Sequence, residues 1–225
     1  YFRNKDNPSI QYMFIDEAHK IIKEDDSRAP VYYHAISMAD RRSVKLYFAS
    51  PNITNSDIFL KIFDKNTDES ISITESPVSQ YKYFVDLIDN KGYIFLNSGK
   101  IKDANHLSNF SSFNQLLYTC GNNTKNIIYC NSIHDTINYA LSFANSITEK
   151  KDEKIDNLIE LIKDYIHEEY YLIDCLRKGV GFHFGRLPQR IRNKIEELFL
   201  DGTLDYMFCT STLLEGVNLP AKNIF

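Results

Sequence analysis

Two adjacent carboxylates, Asp16 and Glu17, follow directly on the apolar run Tyr12–Ile15. Short apolar runs that end in acidic residues read as buried parallel strands. In open α/β sheets, ligands bind beyond the carboxyl ends of such strands. An acid pair placed there suits a nucleotide: one carboxylate holds Mg²⁺, usually through water, and the next orients the attacking water. The plainer alternative makes Asp16 the cap of a following helix and Glu17 part of its solvated first turn.

Three further groups could grip an anion. Thr210, Ser211 and Thr212 follow the apolar run Tyr206–Cys209 and open a short helix, so their hydroxyls and free N–H groups can hold a phosphate. Thr212 and Glu215 also have capping-box spacing, and the two roles are compatible. Asn131 and Ser132 stand at a second strand-to-helix junction, where Ser132 and Asp135 again have capping-box spacing, so capping and phosphate contact stay equally open. Between residues 178 and 194 lie Lys178, Arg186, Arg190, Arg192 and Lys194 with no acid among them. On a chain of net charge −4 this is the best candidate for a backbone-contacting face, with Arg186 its leading member. Its alternative is a solvated helix face balanced by Glu196 and Glu197.

The elements that must position these residues alternate. Tyr12–Ile15 and residues 44–49 read as strands, with helices over 18–22 and 32–39 between them. Residues 70–73 and 93–96 look like further strands, with 81–88 alternating between them, and the polar stretch 100–109 reads as a mobile hinge. Beyond it the order is regular: strand 126–130, helix 133–147, one helix over 155–176, strand 180–183, helix 188–200 and strand 206–209. The long helix is inferred from apolar residues at Ile155, Leu158, Ile159, Ile162, Ile166 and Tyr170. Strands alternating with helices imply parallel sheets covered on both faces.

Composition is that of a soluble globular chain of 225 residues, 43% hydrophobic and 25% charged. Four scattered cysteines, without a C-x-x-C pair, argue against a zinc site or a disulfide framework and suit a reducing compartment. No apolar run approaches the ~18 residues of a membrane helix. A cytoplasmic protein without a membrane partner is expected; protein partners are not legible.

The stretch MFIDEAHK (13–20) resembles motif II of the superfamily 2 DEAD/DEAH-box helicases. The resemblance makes Asp16 the acid linked to Mg²⁺, Glu17 the residue that positions water for attack on the γ-phosphate of ATP, and His19 the coupler to the neighbouring domain. LYFASPN (46–52) occupies the place of motif III, usually Ser-Ala-Thr at the end of the next strand, but carries Ala49, Ser50 and Pro51, leaving Ser50 as the only candidate coupling hydroxyl. FCTSTLLEGVNLPA (208–221) is similar to motif V of the superkiller-like branch, and GVGFHFGRLP (179–188) to that branch's histidine motif. Phe184 and Arg186 depart from its second His and its Gly. By resemblance Thr210 and Ser211 grip the tracked strand, Gly216 and Asn218 face ATP, and Asn131–Ser132 correspond to motif IV.

No G-x-x-x-x-G-K-S/T loop occurs in the sequence, nor the Gln-x-x-Gly-Arg-x-Gly-Arg motif that would supply an arginine finger. The resemblance thus implies two partial RecA-like domains, residues 1–100 with motifs II and III and residues 101–225 with motifs IV and V. The expected parent uses ATP and Mg²⁺ to move on or unwind DNA or RNA, single-stranded where it is gripped, in bacterial DNA repair or phage defence. The 225 residues alone are expected to be inactive. Two rivals are a degenerate, non-catalytic interaction module and a nuclease or restriction subunit that uses the motor to translocate.

Overall fold

A computed structural model describes residues 4, 6–23, 27–51, 53, 55–73, 80–96, 98–214 and 219–225. The chain divides into two compact units, Tyr1–Ser79 and Gln80–Phe225. The division falls before the hinge expected near residue 100.

In the first unit, strands β1 (Tyr12–Ile15) and β2 (Lys45–Phe48) pair in parallel. Ala18–Ile21 forms a 3-10 turn rather than a longer helix, and helix α1 (Ala29–Asp40) crosses from one strand to the other. Pro30 suits the first turn of α1, where its missing N–H costs no helix bond. Ile36 and Ala39 bury the inner face of α1, and a left-handed Ser43 turns the chain into β2. A short helix α2 (Ile58–Ile62) follows, with Phe59 and Phe63 stacked on Phe48 at 5.5 Å each. Burial on β1 alternates instead of being continuous: Tyr12 and Phe14 are exposed and lie with Tyr47 on one open face. Residues 70–73, expected as a strand, form none.

The second unit opens with an antiparallel sheet of β3 (Lys82–Asp86), β4 (Lys91–Phe95) and β5 (Ile101–Asp103). The stretch 100–109 is therefore structured: β5 runs into a 3-10 turn at Asn105–Leu107, and Ala104 and Phe110 are buried. Among the described residues this hairpin sheet is the antiparallel exception, and the other pairings are parallel.

Helix α3 (Phe113–Gly121) then leads into a four-stranded parallel sheet ordered β7-β8-β6-β9. Its strands are β6 (Asn126–Tyr129), β7 (Val180–His183), β8 (Tyr206–Cys209) and the short β9 (Asn223–Ile224). Between them run α4 (Ile133–Ala144), α5 (Glu153–Tyr165), α6 (Leu172–Leu176), α7 (Gln189–Leu200) and the one-turn α8 (Ser211–Leu214). All residues of β7 and β8 are buried, as a parallel sheet covered on both faces requires. Phe143, Phe182, Phe199 and Phe208 fill the core around them. The single helix expected over 155–176 is two. Ile166 leaves helical geometry (φ −125°, ψ −76°), and the Glu169 N–H donates to His167 Nδ1 at 3.0 Å in the turn that separates α5 from α6. Apolar spacing continued across this break because Ile166 and Tyr170 pack on the same core from the turn.

Candidate functional site

In the first unit, Asp16 and Glu17 stand beyond the carboxyl end of β1, where the acid pair was expected. The junction is fixed from β2: the Ala49 N–H donates to the Ile15 carbonyl and the Ala18 N–H to the Ala49 carbonyl, both at 2.9 Å. Burial of Ala18 completes the anchor. Glu17 has φ 53° and ψ 39°, and its N–H donates to Asp16 Oδ1 at 2.8 Å. Asp16 does not cap the following turn, because the position before that turn is Glu17 and it makes no side-chain cap.

His19 reaches back across the junction. Its Nδ1 shares a hydrogen bond of 3.1 Å with Ser50 Oγ, and its Nε2 lies 3.4 Å from Glu17 Oε2. One imidazole therefore bridges an acid at the end of β1 and a hydroxyl at the end of β2. A cavity of about 410 Å³ opens beside the acids, with Phe14, Lys20 and Tyr32 in its wall. Lys20 is a lining residue that sequence reading passed over; its spacing four residues after Asp16 was the available signal.

A hydrated Mg²⁺ fits Asp16. The carboxylate is exposed, and Glu17 N–H engages one of its oxygens. Among the described residues no cluster of three or more His, Cys, Asp or Glu could cage a metal, so water and phosphate oxygens would complete such a cation's shell.

In the second unit, the candidate residues collect at the carboxyl ends of β6, β7 and β8. Ser132 is a working cap: its hydroxyl accepts the Asp135 N–H at 3.0 Å and donates to Asp135 Oδ2 at 2.7 Å. Asn131 beside it is exposed. Thr210 and Ser211 follow β8 as expected, and Ser211 is exposed. The Thr210 N–H is not free, however; it donates to the His183 carbonyl at 3.3 Å across the neighbouring strand. Gly216 and Asn218 lie outside the described residues, as does Glu215 of the expected capping box.

The five basic residues separate into different roles. Lys178 pairs with Glu149 at 3.8 Å, Lys194 with Glu197, and Arg190 lies over the Tyr165 ring at 5.0 Å and donates to its hydroxyl. Arg192 donates to Gln189. Arg186 is exposed and makes no ion pair among the described residues, which keeps it as the available cation of the group.

His183, in the histidine motif, is 2% exposed. Its Nε2 meets Glu196 Oε1 at 2.8 Å, while Nδ1 and the nearby Arg192 Nε are buried without partners among the described residues. Burial pushes its pKa below the usual 6.5, against the opposing pull of Glu196. Glu196, read from sequence as a balancing surface charge, is instead the anchor of this ring. Phe184, at the place of the motif's second His, stacks on Phe182 at 5.6 Å and is a core residue. No helix among the described residues is long and apolar enough to cross a membrane.

No family model matches the chain. It is 25% identical over 219 residues to the ATP-dependent DNA helicase MER3 of Saccharomyces cerevisiae, covering 94% of this chain and 17% of that protein. It is 31% identical over 107 residues to the exosome RNA helicase MTR4 of Mus musculus, covering 44% of this chain and 10% of that protein. A stretch of 66 residues, 27% of the chain, is 41% identical to 9% of the anti-bacteriophage protein B of Escherichia coli K12. The chain thus spans between 9% and 17% of the length of these relatives. A likeness to one helicase that runs almost from end to end, on parallel sheets flanked by helices, is what a RecA-like segment gives, and it makes the chain similar to a section of the superfamily 2 DEAD/DEAH-box helicases.

Proposed function

We propose that this chain is the motif II-to-V section of an ATP-dependent helicase or translocase of the superkiller-like branch, acting on single-stranded DNA or RNA. The observation that carries the reading is the strand-end cluster in which His19 joins Glu17 to Ser50. Mg²⁺-bound ATP supplies the phosphoanhydride whose hydrolysis drives movement. Asp16 would hold a hydrated Mg²⁺, which would neutralise charge on the phosphates, and Glu17 would orient a water for in-line attack. His19 senses the state of Glu17 and passes it through Ser50 to the end of β2. Ser50 thereby takes the part of a coupling hydroxyl, although Ala49 and Pro51 flank it where relatives carry Ser and Thr. Gly216 and Asn218 are assigned to the same nucleotide by resemblance.

Thr210, Ser211, Asn131 and Arg186 are assigned to the tracked strand, where hydroxyls, amides and a guanidinium suit phosphate oxygens. Ser132 contributes by holding the start of α4 and so positioning Asn131. Of the two settings, DNA repair and phage defence, the second draws support from the stretch shared with the anti-bacteriophage protein.

In the longer protein, Glu17→Gln should abolish ATP turnover, by about a hundredfold or more, while ATP affinity is kept. Steady-state hydrolysis and nucleotide titration check this; retained turnover removes Glu17 from its role. The 225 residues alone carry no phosphate-loop sequence and should bind ATP poorly without turning it over. Nucleic-acid-stimulated hydrolysis by the purified chain would sink that expectation. A catalytically silent interaction module is the second reading, favoured by Pro51 after Ser50 and by Phe184 in the histidine motif; a wild-type turnover of zero in the longer protein would select it.

A further inference from the structure

The small antiparallel sheet at the start of the second unit has two unlike faces. Residues opposite each other across an antiparallel pair share a side. Tyr83, Val85, Gly92, Ile94 and Lys102 therefore belong to one face. The 3-10 turn at Asn105–Leu107 covers it: a Cβ on Gly92 would stand 2.7 Å from Leu107 Cβ, and His106 meets the Tyr83 ring edge-on at 6.1 Å.

Lys82, Phe84, Tyr93, Phe95 and Ile101 form the opposite face. Solvated faces of antiparallel sheets are ordinarily polar, yet Phe84 is 53% exposed, Phe95 42% and Ile101 58%. Phe84 and Tyr93 lie side by side with ring centroids 6.2 Å apart.

Charge gathers at one end of this face. Lys82 stands opposite Phe95 and Lys100 sits in the turn where its carbonyl accepts the Leu96 N–H at 2.9 Å, whereas Lys102, opposite Ile94, belongs to the other face. None of these three lysines makes an ion pair among the described residues. Asp86 and Asp103 share this face by register but stand toward its other end, away from Lys82 and Lys100. Asp86 is turned into the hairpin, accepting the Ile88 and Asp89 N–H groups at 2.9 and 3.0 Å, and Asp89 pairs with Lys91 at 3.5 Å. Asp103 lies at the far end of β5, opposite Tyr93.

Exposed ring faces beside unpaired lysines suit one class of ligand. Bases stack on aromatic rings with little regard to sequence, and lysines meet the phosphates between them. Protein interfaces are depleted in lysine, which turns the choice away from a protein partner. We propose that the Lys82, Phe84, Phe95 face is a single-stranded nucleic-acid contact separate from the strand-end loops, with Phe84 and Phe95 stacking bases and Lys82 and Lys100 meeting phosphates. It extends the reading of the chain as part of a nucleic-acid motor and rests on that reading for the kind of strand presented.

The test titrates the 225-residue chain into fluorescein-labelled oligothymidylate and oligouridylate, following anisotropy over a series of salt concentrations. Phe84→Ala with Phe95→Ala should weaken binding about tenfold or more, while Phe84→Tyr with Phe95→Tyr keeps the wild-type affinity. Lys82→Glu and Lys100→Glu together should flatten the dependence of log K on log salt by about 1.4, the share of two phosphates on a single strand. All four positions are at the surface, and circular dichroism of each variant checks its fold. Unchanged affinity and slope in both sets overturns the proposal, as does a wild-type chain that binds neither oligonucleotide. Loss of self-association in place of loss of oligonucleotide binding also overturns it, making the face a protein contact. Thr210→Ala with Ser211→Ala, run in parallel, separates the two ideas: if only that pair loses binding, the sheet contact fails and the motor reading stands. The motor reading is decided independently by ATP turnover of Glu17→Gln in the longer protein.

Discussion

His183 shows how much one ring settles in this fold. Its side chain ties α7 to the end of β7 through Glu196, and its carbonyl holds the Thr210 N–H, so helix, strand and the turn after β8 meet at one residue. Its pKa in the folded chain lies below 6.5, mainly through burial. The unfolded chain therefore takes up the proton first, and the stabilisation is complete above about pH 6.5 and lost as pH falls below it. Denaturant unfolding of wild type and His183→Gln should show a stability gap that narrows between about pH 8 and pH 5. A constant gap would mean that the ring acts through packing alone. The motif around His183 was legible as a resemblance, but its anchor was not. Glu196 is thirteen residues away, and only the packing of α7 on β7 reveals which of the acids on that helix turns inward.

Helices and strands show where sequence patterning is decisive and where it is ambiguous. Continuous apolar runs at 180–183 and 206–209 marked strands that are buried along their whole length. The same signal at Tyr12–Ile15 found the strand but misjudged its burial, since β2 brings Tyr47 against Phe14 on an open face. Two-residue β9 is too short to carry a period, and β5 hid within a polar stretch because Ile101 and Lys102 pair by backbone. Phe184 belongs to this scale, since it packs the turn after β7 against Phe182. Phe184→His would restore a resemblance to the branch while burying an imidazole without a partner. It should destabilise the chain by about 1–3 kcal/mol. A lower urea midpoint at unchanged slope checks this; an unchanged midpoint would mean the site accommodates a polar ring.

Across the whole chain, the two units differ in how they bury apolar surface. The described core of the first unit is a few side chains around Ile36, Phe59 and Phe63, whereas the second encloses its strands between α4, α6 and α7. A fully buried aliphatic or aromatic side chain contributes about 1.5–3 kcal/mol. The second unit should therefore hold its structure through openings that expose the first. Hydrogen exchange should be slowest at the amides of β6, β7 and β8, with those of β1 and β2 faster by at least about tenfold. Equal protection would show that both units unfold as one. The order of elements was readable because strand and helix periods differ. The division at Ser79–Gln80 was not, because a polar stretch reads the same whether it links units or lies within one.

The left-handed backbone of Glu17 has a consequence for how this protein can change. A non-glycine residue at φ 53° carries a conformational penalty of about 1 kcal/mol, which glycine escapes and asparagine lessens. Both lack the carboxylate that β1 holds beside Asp16. Selection for heat resistance alone would thus reward replacement of this acid, and a stabilised library would be enriched, under the proposed role of Glu17, in silent variants at this codon. A glutamate at this torsion angle thus holds its carboxylate beside Asp16 at a cost in stability.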